Sequence, residues 1–176
     1  MDPCHGRTTA LLAVFCVSMS LSAGAGAVAA DAACLIRDFQ RDVLQQVNAA
    51  RAQARDCGGM RMAAAPPLAW NDALFEAAVD HSRDMANHDY FDHTGRDGNR
   101  VMQRATARGY EWRAIGENIA GGDGSVDRVM NGWLRSPGHC RNIMNAEYAD
   151  IAVACVEREG TRWGTYWTMV LGRRRK

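Results

Sequence analysis

Between Leu35 and Ala54 the apolar side chains of Ile36, Phe39, Val43, Val47 and Ala50 return at three- and four-residue steps. That period lines them along one face of a helix. "DCGGM" ends the helix, and "AAAPPLAW" is held extended by Pro66 and Pro67. Asn71 is placed to cap a second helix whose apolar stripe is Leu74, Ala78, His81 and Met85. A polar, glycine-punctuated loop, "NHDYFDHTGRDGN", comes next. A short helix over Arg100–Ala107 then stops at Gly109. "IGENIA" reads as a short strand closed by "GGDG". Ser125 caps a helix with Val126, Val129, Met130 and Trp133 on one face. Ser136 caps another, with Pro137 at its first position, where a missing N–H leaves no bond unmade.

The last two segments, "DIAVACVE" and "YWTMVL", are apolar at successive positions rather than at alternate ones. Strands of that kind are covered on both faces. With helices before and between the strands, the pattern predicts helix layers on both sides of a mixed sheet.

The first residues follow a different rule. Arg7, the apolar run "ALLAVFCVSMSLS" and the small residues Ala27-Val28-Ala29 have the layout of a secretory signal peptide, and the run is too short to span a membrane. The expected organisation is a signal peptide over residues 1–29, one domain over 30–172 and a basic tail over 173–176, "RRRK", read as a solvated end. A chain of 176 residues has room for one core. No second long apolar run follows, so the mature chain is expected to carry no integral span, to be secreted or periplasmic, and to be a monomer.

A net charge of +1 supplies no footprint for nucleic acid. The only lysine is Lys176, which excludes a lysine nucleophile in the core. Outside the signal segment stand Cys34, Cys57, Cys140 and Cys155, an even set that reads as two disulfides in an exported chain. The pairing favoured here is Cys34–Cys57 with Cys140–Cys155, since each bridge would bracket one supersecondary unit. No C-x-x-C pair points to a zinc-thiolate site.

Chemistry is concentrated at three positions. His139 falls in the first turn of its helix, where unpaired N–H groups disfavour the protonated ring by a few tenths to about 1 kcal/mol. A neutral imidazole is the form that ligates metal or accepts a proton. His93 lies in "YFDHTG", where no packing pattern explains it, and Glu117 lies in "GENIA" between Ile115 and Ile119, where a carboxylate needs a partner. Two histidines and a glutamate are a ligand set for a divalent metal such as zinc with one position open; they equally form a hydrogen-bonded cluster without metal.

The ordered set "NAAR", "LAWNDAL", "DM", "YFDHTG", "RGY", "GENIA", "WLRSPGHCRNIM" and "YWTMVLG" resembles the CAP superfamily of cysteine-rich secretory, antigen 5 and pathogenesis-related proteins, especially its compact bacterial members. The resemblance runs from about Leu35 to Gly172. It implies an α+β fold, a three-layer α/β/α sandwich with a mixed, mostly antiparallel sheet. It also implies a central cleft holding His93, Glu117 and His139, which binds divalent metal in some members. Others bind sterols or different lipids elsewhere on the domain. The second glutamate that many members carry after the matching tryptophan is replaced by Leu134, Arg135 and Ser136. That loss weakens any mechanism needing a ligand carboxylate and a separate base.

Two functions are therefore carried forward. One is a binding module acting on a small ligand or a cell-envelope component. The other is a metal-assisted hydrolase of peptides or cell-wall polymer, with Glu117 as candidate catalytic base. Lipid carriage is a third possibility. The remaining candidates read as structural: His81 as a core histidine, Asp84 and His88 as an i,i+4 pair, Asn118 as a backbone hydrogen-bonding residue, and Trp133, Trp163, Tyr166 and Trp167 as core. Ser82, Ser125 and Ser136 sit in no G-x-S-x-G.

Overall fold

The computed structural model describes residues 38–122 and 124–176. The predicted signal peptide, the helix start at Leu35 and Ile36, and Cys34 lie outside the described residues. Helix α1 spans Phe39–Arg51 and buries Val43, Val47 and Ala50, the stripe expected from their spacing. A hairpin of β1 (Arg55–Asp56) and β2 (Arg61–Met62) follows, a pairing too short to leave a periodic signal. Strand β3 (Ala69–Trp70) leads into α2 (Asp72–His88), where Asn71 accepts a capping hydrogen bond from the Leu74 amide at 3.2 Å. Next come α3 (Val101–Ala107), β4 (Trp112–Gly121), α4 (Val126–Arg135), α5 (Pro137–Met144), β5 (Asp150–Glu157) and β6 (Thr165–Arg174). Ser125 caps α4 as expected. Ser136 stands at the N-cap of α5 but makes no side-chain capping bond, while Pro137 occupies the first turn.

The main sheet has the order β3-β5-β6-β4. β3 runs parallel to β5, and the other two pairings are antiparallel. On one face Ile151 and Val153 of β5 and Trp167, Met169 and Leu171 of β6 pack against α1, α4 and α5 through Val43, Val47, Val129, Trp133 and Ile143. On the other, Ala152, Ala154 and Val170 meet Leu74 and Ala78 of α2 and Ala105 of α3. Alternate residues of β5 and β6 thus serve opposite layers, which is why both strands read as continuous apolar runs. The result is the three-layer α/β/α sandwich with a mixed, mostly antiparallel sheet. No helix among the described residues is long and apolar enough to cross a membrane.

Arg51 is fully buried at the end of α1. Its guanidinium is held by carbonyls rather than by a carboxylate: it donates to those of Pro66 (2.8 Å), Ile143 (2.5 Å) and Asn145 (3.0 Å). One side chain thereby ties α1, the extended segment before β3 and the end of α5.

The disulfide framework corrects the expected pairing. Cys57 is bonded to Cys140, with their Cα atoms 5.5 Å apart, so Cys34–Cys57 and Cys140–Cys155 do not form. Cys155 is also disulfide-bonded. Closeness along the chain was the wrong guide. The β1–β2 turn folds onto the start of α5, so closely that a Cβ on Gly58 would lie 2.5 Å from Pro137 Cγ. Cys57, Cys140, Met62 and Met144 form their own apolar cluster there, whereas Cys155 packs beside the core on β5. Residues 173–176 are all exposed, and β6 carries the first two of them as strand.

Two stability results are expected. Arg51→Leu leaves several buried carbonyls without a donor and lowers the unfolding free energy by about 3 kcal/mol or more in urea titrations. The double variant Cys57→Ser, Cys140→Ser releases a bridge across a sequence separation of 83. It costs about 4 to 5 kcal/mol in the chain-entropy model, read from the same titration.

Candidate functional site

Glu117 stands in the middle of β4, and its side chain points away from solvent with 8 % of the residue exposed. Gly116 precedes it because Tyr148 lies against the strand there; a Cβ at that position would collide with the tyrosine hydroxyl. A buried carboxylate is stable only when paired and hydrogen-bonded, and both its oxygens are engaged. His93 Nδ1 lies 2.7 Å from Oε1, and Arg104 Nη2 donates to Oε2 at 2.6 Å. Since a carboxylate only accepts, Nδ1 carries the proton, and in the neutral form of the ring Nε2 is left as the acceptor. The His93 side chain is 44 % exposed, so this imidazole joins a buried anion to solvent.

Arg104, on α3, orders the surrounding loop. Its Nη1 donates to the Asn99 carbonyl at 2.7 Å and its Nη2 also reaches the His93 carbonyl at 3.3 Å. It escaped the sequence reading because an arginine in a short polar helix reads as a solvated charge. The signal that would have found it is the need of Glu117 for a cation.

His139 comes from α5. Asn118, next to Glu117, donates to the His139 carbonyl at 3.2 Å, and Asn142 Nδ2 donates to Asn118 Oδ1 at 2.9 Å and to the Glu117 carbonyl at 3.1 Å. The backbone role expected for Asn118 is thus to lock α5 against β4. The His139 ring is half-buried and makes no hydrogen bond among the described residues. Burial, followed by the charge of nearby His93, holds its pKa below the ordinary imidazole value.

Behind the pair lies His81, buried on α2 as expected of a core histidine. Its Nε2–H donates to the Asp92 carbonyl at 2.9 Å. Its Nδ1, like Arg104 Nε, has no partner among the described residues. Desolvation depresses its pKa, opposed by the charge of Glu117. Burial pushes Glu117 upward, but the hydrogen bond from His93 and the charge of Arg104 outweigh it, and its pKa lies below the usual carboxylate value.

A cleft of about 340 Å³ opens beside the pair, lined by His93, Glu117, Arg100, Val101, Met102 and Gly116. The structure therefore joins His93 directly to Glu117 and brings His139 within electrostatic reach. Among the described residues no three His, Cys, Asp or Glu side chains converge as a metal-ligand group. The other candidates are structural: His88 Nδ1 pairs with Asp84 at 2.9 Å on the surface of α2, and Trp133, Tyr166 and Trp167 are buried. Trp163 is the exception, half-buried, with the Phe91 ring tilted against it at 5.2 Å between centroids.

Comparison with known proteins agrees with this architecture. The model of the cysteine-rich secretory protein family (CAP) matches residues 44–171. The Bacillus subtilis protein YkwD is 29 % identical over 130 residues, covering 74 % of this chain and 45 % of YkwD. The B. subtilis membrane protein YlbC is 30 % identical over 86 residues, 49 % of this chain and 25 % of YlbC. The chain thus spans less than half the length of these relatives. Among solved structures, an extracellular SCP-domain protein from Bacillus anthracis superposes with a TM-score of 0.55 at 26 % identity, over 62 % of this chain and 35 % of that one. An outer surface protein of Borrelia burgdorferi has the same fold, with a TM-score of 0.64 at 19 % identity over 80 % and 95 % of the two chains.

The pKa directions set a pH dependence. His81 and His139 titrate below 6.5 in the folded chain, so the unfolded chain takes up their protons first. Stability is therefore full above about pH 6.5 and falls as pH drops through that value toward the lower folded pKa values. Glu117 acts in the acid range, its contribution being lost as pH falls through its depressed folded pKa. Urea midpoints should be lower at pH ~5.5 than at pH ~7.5, and the His139 ring should titrate in NMR with a midpoint under about 6.5. A His139 midpoint at or above that value contradicts the assigned environment.

Proposed function

The chain belongs to the cysteine-rich secretory protein family, and from that premise we propose that it is an exported binding module whose working site is the His93–Glu117–His139 cleft. The observation that carries the reading is the hydrogen bond between His93 Nδ1 and Glu117, with Arg104 on the other carboxylate oxygen. An imidazole held by a buried carboxylate is fixed in tautomer and orientation, and its Nε2 is a stronger acceptor or ligand for it. Placement outside the cell is supported by the similar protein from B. anthracis, described as extracellular.

A divalent metal would be held in one way. Both oxygens of Glu117 are engaged, which suits it to orienting His93 rather than to ligation, so His93 Nε2 and His139 would hold the ion. A bound zinc would supply Lewis acidity to a ligand oxygen or water. In this arrangement His93 and His139 bind, Arg104 keeps Glu117 ionised, and Asn118 and Asn142 fix the distance between α5 and β4. A general-base role for Glu117 finds less support, because a carboxylate with a lowered pKa and two partners is a poor proton acceptor. The same cleft would otherwise take a small polar ligand through His93 and Arg100.

Zinc titrated into the mature protein at neutral pH should perturb the ring resonances of His93 and His139. His93→Ala or His139→Ala should abolish the isotherm, and Glu117→Gln should weaken it by about 10- to 100-fold. An isotherm unchanged by either histidine substitution would falsify the metal reading.

A further inference from the structure

Arg104 stands between two clefts. Toward the first it pairs with Glu117. It also lines a second cleft of about 380 Å³, with His81, Asp80, Asp84, Gly95 and Asp97 around it. That volume falls in the range of small-ligand pockets, about 300 to 1,000 Å³. The two clefts have no lining residue in common. At the base of the second, two nitrogens are left without hydrogen bonds. His81 and Arg104 are both more than nine-tenths buried, yet His81 Nδ1 and Arg104 Nε find no partner among the described residues. The His81 Nε2–H is committed to the Asp92 carbonyl, so in the neutral ring Nδ1 is an acceptor. Arg104 Nε donates only. Buried polar groups of this kind are costly to leave unpaired.

The rim supplies acceptors that are fixed before any ligand arrives. Asp84 is held by the Tyr90 hydroxyl, by the Arg96 amide at 3.1 Å and by His88 Nδ1 at 2.9 Å. Asp97 accepts from the Asn99 amide at 2.9 Å and from its side chain at 2.6 Å. Each carboxylate oxygen has more than one lone pair, so these bonds leave capacity to accept again. Asp80, by contrast, is neutralised by two bonds from Arg108. Asp84 and Asp97 converge on the open side of Gly95, where a Cβ would lie 2.8 Å from Asp97 Oδ1 and 3.4 Å from Asp84 Oδ2. The cleft thus combines a lone donor, a neutral acceptor and two anionic acceptors. An anion would satisfy Arg104 and be repelled by the aspartates. A cation would satisfy the aspartates and be repelled by Arg104. A hydroxyl both donates and accepts, so several hydroxyls on a rigid frame suit all four groups.

We propose that this second cleft binds a saccharide through its ring hydroxyls, with Arg104 Nε and His81 Nδ1 engaged at the base and Asp84 and Asp97 at the rim. The chemistry recognised is common to a free sugar and to the end of a polysaccharide chain. Arg104 connects the two sites, because the guanidinium whose Nε the sugar takes also holds Glu117 through Nη2. Occupancy is therefore felt at His93, by way of Glu117, without the sugar touching that imidazole. The site uses no metal, and a failed zinc titration leaves it standing.

The test is NMR titration of the mature protein with glucose, galactose, mannose, N-acetylglucosamine and chitotriose, with acetate and methylammonium as charged controls. The sugars should shift the Arg104 Nε–H and His81 ring signals saturably, with a smaller shift at the His93 ring. A response to monosaccharides points to a free sugar as the ligand, and a response to chitotriose alone points to a chain end; either supports the proposal. Gly95→Ala keeps every polar group but fills the space between the rim carboxylates, and it should weaken sugar binding about tenfold. Asp97→Asn removes one charged acceptor and should weaken it by about tenfold as well. Circular dichroism establishes that the variants are folded, and should one of them not fold, the other carries the test. No saturable shift with any sugar, shifts of equal size with acetate or methylammonium, or affinities unchanged in the folded variants would each overturn the proposal.

Discussion

Glu117 sits on β4 with 8 % of its surface exposed, and two groups from elsewhere in the chain close on it. Arg104 arrives from α3 and His93 from the loop before it. An ionised carboxylate in such a place is unstable alone, by several kcal/mol even after relaxation. The loop from His93 to Asn99, the helix that follows and the strand that bears the carboxylate therefore adopt the one arrangement that satisfies it. Arg104 serves all three, since the guanidinium that neutralises Glu117 also holds the carbonyls of Asn99 and His93.

A second set of polar bonds fixes α5 against β4. Asn118 and Asn142 link β4 to α5 through the carbonyls of His139 and Glu117. The Cys57–Cys140 bridge ties the residue after His139 to the β1–β2 hairpin, and Arg51 gathers the far end of α5. The position of His139 is thus fixed from three sides by the backbone, while its ring is left without a hydrogen bond among the described residues.

The single acid of this cleft also acquires a physical meaning. With no second glutamate after Trp133, the negative charge of Glu117 is balanced by Arg104 rather than shared with another carboxylate, and Arg100 adds a cation to the lining. Glu117 is therefore paired with His93 and Arg104, while the His139 ring makes no hydrogen bond among the described residues.

The helices, their faces and the doubly covered strands were legible along the chain, because burial on a periodic element leaves a period in the residues. Asn71 and Ser125 could be read as caps for the same reason: a cap acts on amides two or three residues away. His93, Glu117 and His139 could be picked out as residues out of keeping with their surroundings. What the chain order did not contain was which of them touch. The Cys57–Cys140 bridge, the Arg104–Glu117 pair and the carbonyl cluster around Arg51 all join residues from different elements. Such contacts follow from how layers stack and leave no local period, so only the tertiary structure decided them.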